Sequence, residues 1–303
     1  MRRLTVAFAE GQTTAIAFGA EGPPDLVFLH ATGFNALTYR SILAPLGQRY
    51  RILALDQRGH GRCPLPAEPT ALRSWDQYVQ DFLTVAAPLW GQATPPVIAG
   101  HSMGGAVALM AAARRPGLAD RVVVFDPVVP PDGLRLRLLP LVPQAQRIAR
   151  FPIAAAAQRR RDRFPSRVAA QDSYRGRGAF ATWQAVFLND YVEDGFRDTD
   201  AGDVTLSCAP GWEAATFAGV RPGVAAALKT IACPVDLLLA ARGSAVQIDA
   251  EHLRLLKPDL RIETMSGTSH FLPMEVPNIA RERLARALAE RAGTGSVMPM
   301  AAG

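Results

Sequence analysis

At 303 residues, 49% of them hydrophobic and 20% charged, the chain is too apolar for a disordered protein and long enough to bury a sizeable core. Its three cysteines, Cys63, Cys208 and Cys233, are far apart and odd in number, which argues against a disulfide framework or a zinc knuckle and fits a reducing compartment. The formal charge of +6 is concentrated: between Pro131 and Phe180 eleven arginines stand against Asp132, Asp162 and Asp172, a balance of +8 that leaves −2 elsewhere, and no recognition motif for nucleic acid accompanies them.

Two readings of that segment stay open. It is a solvated, arginine-rich helical face, or a surface that attracts anionic substrates or phospholipid. Arginine outnumbers lysine 31 to 2 throughout, so the segment partly follows a global bias. The start "MRRLTVAFAEGQ" is interrupted by Glu10 and Gly11, unlike a secretory signal, and no uncharged run has the length of a membrane span. The expectation is a cytoplasmic protein with a small-molecule substrate and no stable membrane insertion; the sequence leaves its oligomeric state open.

In chain order, "LTVAFA" and "TTAIAF" read as two early strands. "DLVFLH", "YRILALD", "PPVIAG" and "RVVVFD" (Arg121 to Asp126) read as buried strands, separated by helix-like stretches at Leu37–Leu46, Ser74–Trp90 and Met103–Arg114. Such alternation predicts a mostly parallel sheet with helices on both faces. From Pro127 to about Arg221 the alternation stops, prolines recur, and helix-like pieces such as "QAQRIAR" and "ATWQAVFLNDYV" predict a helical insertion. Alternation resumes with "PVDLLLA", "DAEHLRLL", "LRIETM" and a final helix over Ile279–Ala292. The organisation expected is α/β: a core over 1–129 and 222–292 with an eight-stranded sheet, a helical cap over 130–221, and a tail over 293–303.

Ser102, in "GHSMGG", lies where strand "PPVIAG" meets the helix from Met103, with Gly100 and Gly104 on either side. At such a corner small neighbours permit a sharp turn that lifts the hydroxyl clear and directs the Met103 N–H toward a developing oxyanion. The alternative is a helix N-cap serine beside a glycine packing contact.

Four segments together resemble the α/β-hydrolase superfamily across nearly the whole chain. "FLHATGFN" is similar to its oxyanion loop, "LDQRGHGRC" to its D-x-R-G-H-G-x-S turn, "GHSMGG" to its nucleophile elbow and "GTSHFLPMEVP" to its catalytic-histidine loop. The resemblance implies Ser102 as nucleophile and His270 as base, with oxyanion donors from Met103 and from Thr32, Gly33 being the near alternative. It also implies an α/β-hydrolase fold and neither cofactor nor metal. Ala31 and Cys63 depart from the residues more usual in these motifs, and Cys63 reads as structural. Of the other histidines, His30 is expected to brace the oxyanion loop, His60 to belong to the arginine-glycine turn, His101 to point away from Ser102, and His252 to be exposed.

The acid is displaced. Alignment on the end of "PVDLLLA" puts Ser244 where relatives usually carry an aspartate. Asp126, ending "RVVVFD", is the candidate in its place. Asp249, which also suits a helix N-cap, and a site without any carboxylate are the alternatives. The expected activity is carboxylic ester hydrolysis through an acyl-enzyme, on small or medium apolar acyl groups. The rivals are hydrolysis of thioesters, lactones or carbon–carbon bonds, a cofactor-free perhydrolase or haloperoxidase, and a slow-turnover small-molecule sensor. For Trp183, Val186, Phe187, Tyr191, Trp212 and Phe217 two readings stay open, packing of the cap on the main domain or lining of the acyl pocket, while the apolar underside of the cap as a whole is expected to line that pocket.

Overall fold

The chain opens as an antiparallel pair, β1 (Arg2–Phe8) and β2 (Gly11–Phe18), and β2 pairs antiparallel with β4 (Ile52–Leu55). The computed structural model describes residues 1–8, 11–91, 93–131, 133, 138–221 and 223–294; the parts of the expected cap at 132 and 134–137, the expected core start at 222 and the tail at 295–303 lie outside the described residues. From β4 onward every neighbouring pair in this sheet is parallel. Among the described residues the sheet has eight strands in the order β1-β2-β4-β3-β5-β6-β10-β11, with β3 at Leu26–Leu29, β5 at Val97–His101, β6 at Arg121–Phe125, β10 at Val235–Ala240 and β11 at Arg261–Met265.

The central strands β3 (Leu26–Leu29), β5 (Val97–His101) and β6 (Arg121–Phe125) are buried at every residue. That follows from their unbroken apolar runs, since a parallel strand is covered on both faces. Alternation then sorts the side chains into two cores. Val27 and Leu29 join Val79, Phe82, Val107 and Leu109 of α2 (Asp76–Trp90) and α3 (Met103–Arg114). Leu26 and Phe28 join Ile42 and Leu43 of α1 (Arg40–Leu46) and Leu284 and Leu288 of the final helix. That helix runs Pro277–Thr294, two residues beyond the expected end. The expected helix at Leu37 begins instead as a 3₁₀ turn, Ala36–Tyr39, because Asn35 and Thr38 cap each other there.

Between β6 and β10 the chain leaves the sheet. It forms α4 (Gln144–Arg150), α5 (Pro152–Gln158), α6 (Arg167–Tyr174), α7 (Ala185–Gly195) and α8 (Pro210–Phe217). It also forms a three-stranded antiparallel sheet, β7 (Arg163–Phe164), β9 (Val204–Leu206) and β8 (Phe196–Asp198), which the sequence pattern does not announce. Strands of two and three residues are too short for a period of two to register. The next helix, α9 (Val224–Thr230), returns to the main body and packs on α3.

Candidate active site

Ser102 holds φ 55° and ψ −117°, a conformation that costs a non-glycine residue about 1–3 kcal/mol. The turn needs bare backbone on both sides. A Cβ on Gly100 would stand 2.5 Å from the Gly104 backbone, and one on Gly104 would stand 2.2 Å from the Leu29 carbonyl oxygen. Ser102 occupies the N-cap position of α3, yet its side chain makes no capping bond. Its Oγ lies 2.9 Å from His270 Nε2 instead. The hydroxyl is therefore directed by the turn to the imidazole and not to the helix.

His270 Nδ1 is 2.6 Å from Asp126 Oδ2. A carboxylate there requires the proton on Nδ1, which leaves Nε2 free to accept from the serine. Asp126 is fully buried with φ 42°. Its Oδ1 accepts from the Ala240 N–H at 2.9 Å and from Ser244 Oγ at 2.6 Å, and its Oδ2 also accepts from the Ala245 N–H at 2.9 Å. Burial pushes this carboxyl upward, but hydrogen bonding and charge from His270, then the Ala240 and Ser244 donors, bring it below the ordinary carboxylate range. Ser244, which the sequence alignment puts where relatives usually carry an aspartate, thus donates to Asp126. Asp249 caps the helix Ala250–Leu256 by accepting from the His252 N–H at 2.7 Å.

Met103 is the first residue of α3, so its N–H has no carbonyl within the helix. Thr32 lies in the loop after β3, and its Oγ1 donates toward Met103 Sδ at 3.3 Å, which brings that loop onto the elbow.

The histidines fall as the sequence suggests, with one addition. His30 Nε2 accepts from the Gln57 N–H at 2.9 Å and its Nδ1 donates to the Ala31 carbonyl at 2.8 Å, fastening the loop. His60 Nδ1 donates to the Arg58 carbonyl at 2.9 Å within its own turn. His101 does point away from Ser102, but it has a task of its own. Its Nε2 donates to the His270 carbonyl at 2.8 Å, and its Nδ1 accepts from the Tyr39 hydroxyl at 2.7 Å, which itself accepts from the Ala31 N–H at 3.2 Å. Burial, then the charge of His270, pushes His101 down to about 3, so the ring stays neutral. Sequence reasoning missed this link because its acceptor is a backbone carbonyl. It also missed Glu275, whose carboxylate takes the Ser269 N–H at 2.7 Å and the Ser269 hydroxyl at 2.6 Å and so closes the loop that carries His270.

Ser102 and His270 open into a cavity of about 540 Å³, within the size range of small-molecule sites. Ala31, Thr32, Phe34 and Phe271 line one side; Ile153, Ala156, Phe180 and Phe217 line the other, with Arg160, Glu213 and Arg177 among them. The two readings of the cap residues divide between them. Phe217 faces the cavity, whereas Trp183 packs among Phe34, Phe180 and Phe271, and Trp212 lies against Gly59 with its indole N–H on the Arg58 carbonyl at 3.1 Å. Phe187 and Tyr191 are core residues, and Val186 is exposed. A helical period alone does not distinguish an inner face packed on a neighbour from one facing a void.

Among the described residues no group of three or more His, Cys, Asp or Glu side chains is placed to hold a metal ion, and no helix is long and apolar enough to cross a membrane. The chain matches the model of the alpha/beta hydrolase family over residues 26–287. It is 24% identical over 258 residues to a 2-(acetamidomethylene)succinate hydrolase of Mesorhizobium japonicum, a match covering 84% of each protein. It is 29% identical over 151 residues to an uncharacterized protein of Mycobacterium tuberculosis; this match spans 48% of the chain and only 42% of that relative. The crystal structure of an E-2-(acetamidomethylene)succinate hydrolase superposes with a TM-score of 0.77 at 20% identity, covering 94% of this chain and 98% of the other.

Proposed function

The chain belongs to the alpha/beta hydrolase family, and from that premise we propose that it is a serine hydrolase cleaving carboxylic esters of small or medium apolar acyl groups. One observation carries the reading: Ser102, His270 and Asp126 form a continuous hydrogen-bonded line that ends at an apolar cavity.

In this reading Ser102 Oγ attacks the acyl carbon while its proton passes to His270 Nε2. Asp126 holds the imidazole in the tautomer that can accept it and stabilises the imidazolium. The carbonyl oxygen becomes an oxyanion held by the backbone N–H groups of Met103 and Thr32. His270 returns the proton to the departing alkoxide, leaving an acyl-serine. Water then attacks the acyl carbon as His270 takes its proton, and His270 returns that proton to Ser102 Oγ as the acyl–oxygen bond breaks, releasing the acid and the free serine. The chain's own groups supply each proton transfer. Residues 130–221 serve as a cap, and Ile153, Ala156, Phe180 and Phe217 receive the acyl chain. The substrate is a small molecule reached from water in the cytoplasm.

Ser102→Ala should leave thermal unfolding near that of the parent and lower kcat toward simple acyl esters by about a millionfold, the loss seen when a serine hydrolase loses its nucleophile. Labelling by a fluorophosphonate should vanish with it. Undiminished turnover and labelling at another residue would overturn the assignment. A panel of esters of graded acyl length, with thioesters and lactones alongside, identifies the bond preferred.

A further inference from the structure

Away from the cavity, three arginines converge where the helices between β6 and α9 meet the segment that precedes α2. Gln144, the first residue of α4, donates from Nε2 to the carbonyls of Pro69 and Leu72 at 3.0 and 2.9 Å. Those bonds hold α4 beside Arg73, and Arg147 lies one turn further along the same helix face. Val220 bridges to Ser74, and its carbonyl accepts from the Trp75 N–H at 2.9 Å. Arg221 consequently lies over Trp75, its guanidinium 4.7 Å from the ring centroid.

The charges in this patch are not answered. Arg147 is 5% exposed, yet its Nε and Nη1 have no hydrogen-bond partner, and neither has Arg221 Nε. Arg221 Nη2 reaches the Phe217 carbonyl, a neutral acceptor. Among the described residues no carboxylate pairs with Arg73, Arg147 or Arg221. Burial, then the neighbouring Arg73, lowers Arg147; burial, then Arg147, pushes Arg221 down to about 10. Elsewhere a buried guanidinium with an unpartnered Nε still has carboxylates to answer its charge. Arg121, equally buried, meets Asp236 at 3.3 Å and Glu290 at 2.5 Å.

We propose that Arg73, Arg147 and Arg221 form a binding site for a phosphate group, free or carried as a monoester. Several orphaned N–H donors on guanidiniums from different elements call for an acceptor with oxygens in several directions. Three cations suit an ion that carries −1.5 to −2 near neutrality, as phosphate does. The ion would tie α4 and the chain at Val220–Arg221 to the start of α2.

The test uses the full chain in chloride buffer of fixed ionic strength, titrated with inorganic phosphate by calorimetry and followed by thermal unfolding. The wild-type protein should bind phosphate at one site. Arg147→Met and Arg221→Met should each weaken that binding by about tenfold or more, the loss expected for a charge-assisted hydrogen bond. In chloride alone, Arg147→Met should unfold at or above the wild-type temperature, because it removes an uncompensated buried charge; added phosphate should reverse the order. Arg73→Ser, at an exposed position, keeps the test decisive if a buried substitution fails to fold, and it should weaken binding as well. Glycerol 3-phosphate matching inorganic phosphate upholds a monoester site, and binding of inorganic phosphate alone upholds an enclosed ion. Absence of calorimetric binding, or an equal phosphate-induced shift in the wild type and all three variants, overturns the proposal.

Discussion

Asp126 and Arg147 are both charged side chains withdrawn from water, and the molecule treats them in opposite ways. Asp126 has four donors around its two oxygens, one of them the imidazole of His270. Arg147 has two bare nitrogens and cations for neighbours. Burial opposes ionisation at both positions. At Asp126 the donors outweigh it; at Arg147 no group among the described residues does. A buried charge met by donors of its own protein is complete, whereas a buried charge without them is costly, and on that cost the proposed phosphate site rests.

The sharpest way to break this contrast is to neutralise its compensated side. Asp126→Asn should lower kcat/KM by roughly ten-thousandfold, the scale seen when a serine triad loses its orienting aspartate. Asp249→Asn should leave kcat/KM near the wild-type value, because Asp249 only caps a helix. Equal activity in the two variants would mean that the acid lies elsewhere.

A smaller effect is expected from stripping one donor from Asp126 while keeping the charge. Ser244→Ala leaves Oδ1 with the Ala240 N–H alone. A hydrogen bond to a charged group is worth about 1.5–3 kcal/mol, so activity should fall by roughly ten- to a hundredfold with KM little changed. If kcat stays at the wild-type value, Ser244 is a bystander and the carboxylate is held by backbone alone.

Between the two extremes lies a third treatment, in which the buried group gives up its charge. His101 is pushed down to about 3 and His60 to about 4, each chiefly by burial. In the unfolded chain both titrate near 6.5. Their contribution to stability is therefore complete above pH 6.5 and is lost as pH falls toward 4, where the unfolded state takes protons that the folded state refuses. Each should approach a slope of about 1.4 kcal/mol per pH unit. Urea denaturation between pH 7 and 5 measures it, and a flat profile would show that these rings accept protons while folded.

The sequence made the sheet readable because its strands are buried on both faces and so run apolar without interruption, as in "VIAG" and "RVVVF". Ser102 was legible because a strained corner demands small neighbours at fixed offsets, and Asp126 because sites of parallel sheets form at carboxyl strand ends. The roles of His101 and Glu275 were not legible, since one binds a backbone carbonyl and the other closes its own loop. Trp212 and Phe217 are five residues apart on one helix, yet one packs on Gly59 and the other faces the cavity. Composition cannot separate them. The arginine patch depends on residues 73, 147 and 221, and no local pattern relates positions so far apart.

The run from Ala31 through Tyr39 and His101 to the His270 carbonyl has a consequence for anyone who would redesign this protein. The loop that would hold the oxyanion and the loop that presents the imidazole are not independent modules. One stiff pair of aromatic rings sets the spacing between them. Widening the first loop to admit a bulkier substrate pulls on the second, and the cost appears as a mistimed proton transfer and not as poor binding. Libraries that vary residues 31–34 alone should therefore stall, while libraries that vary positions 39 and 101 with them can move both loops as a unit.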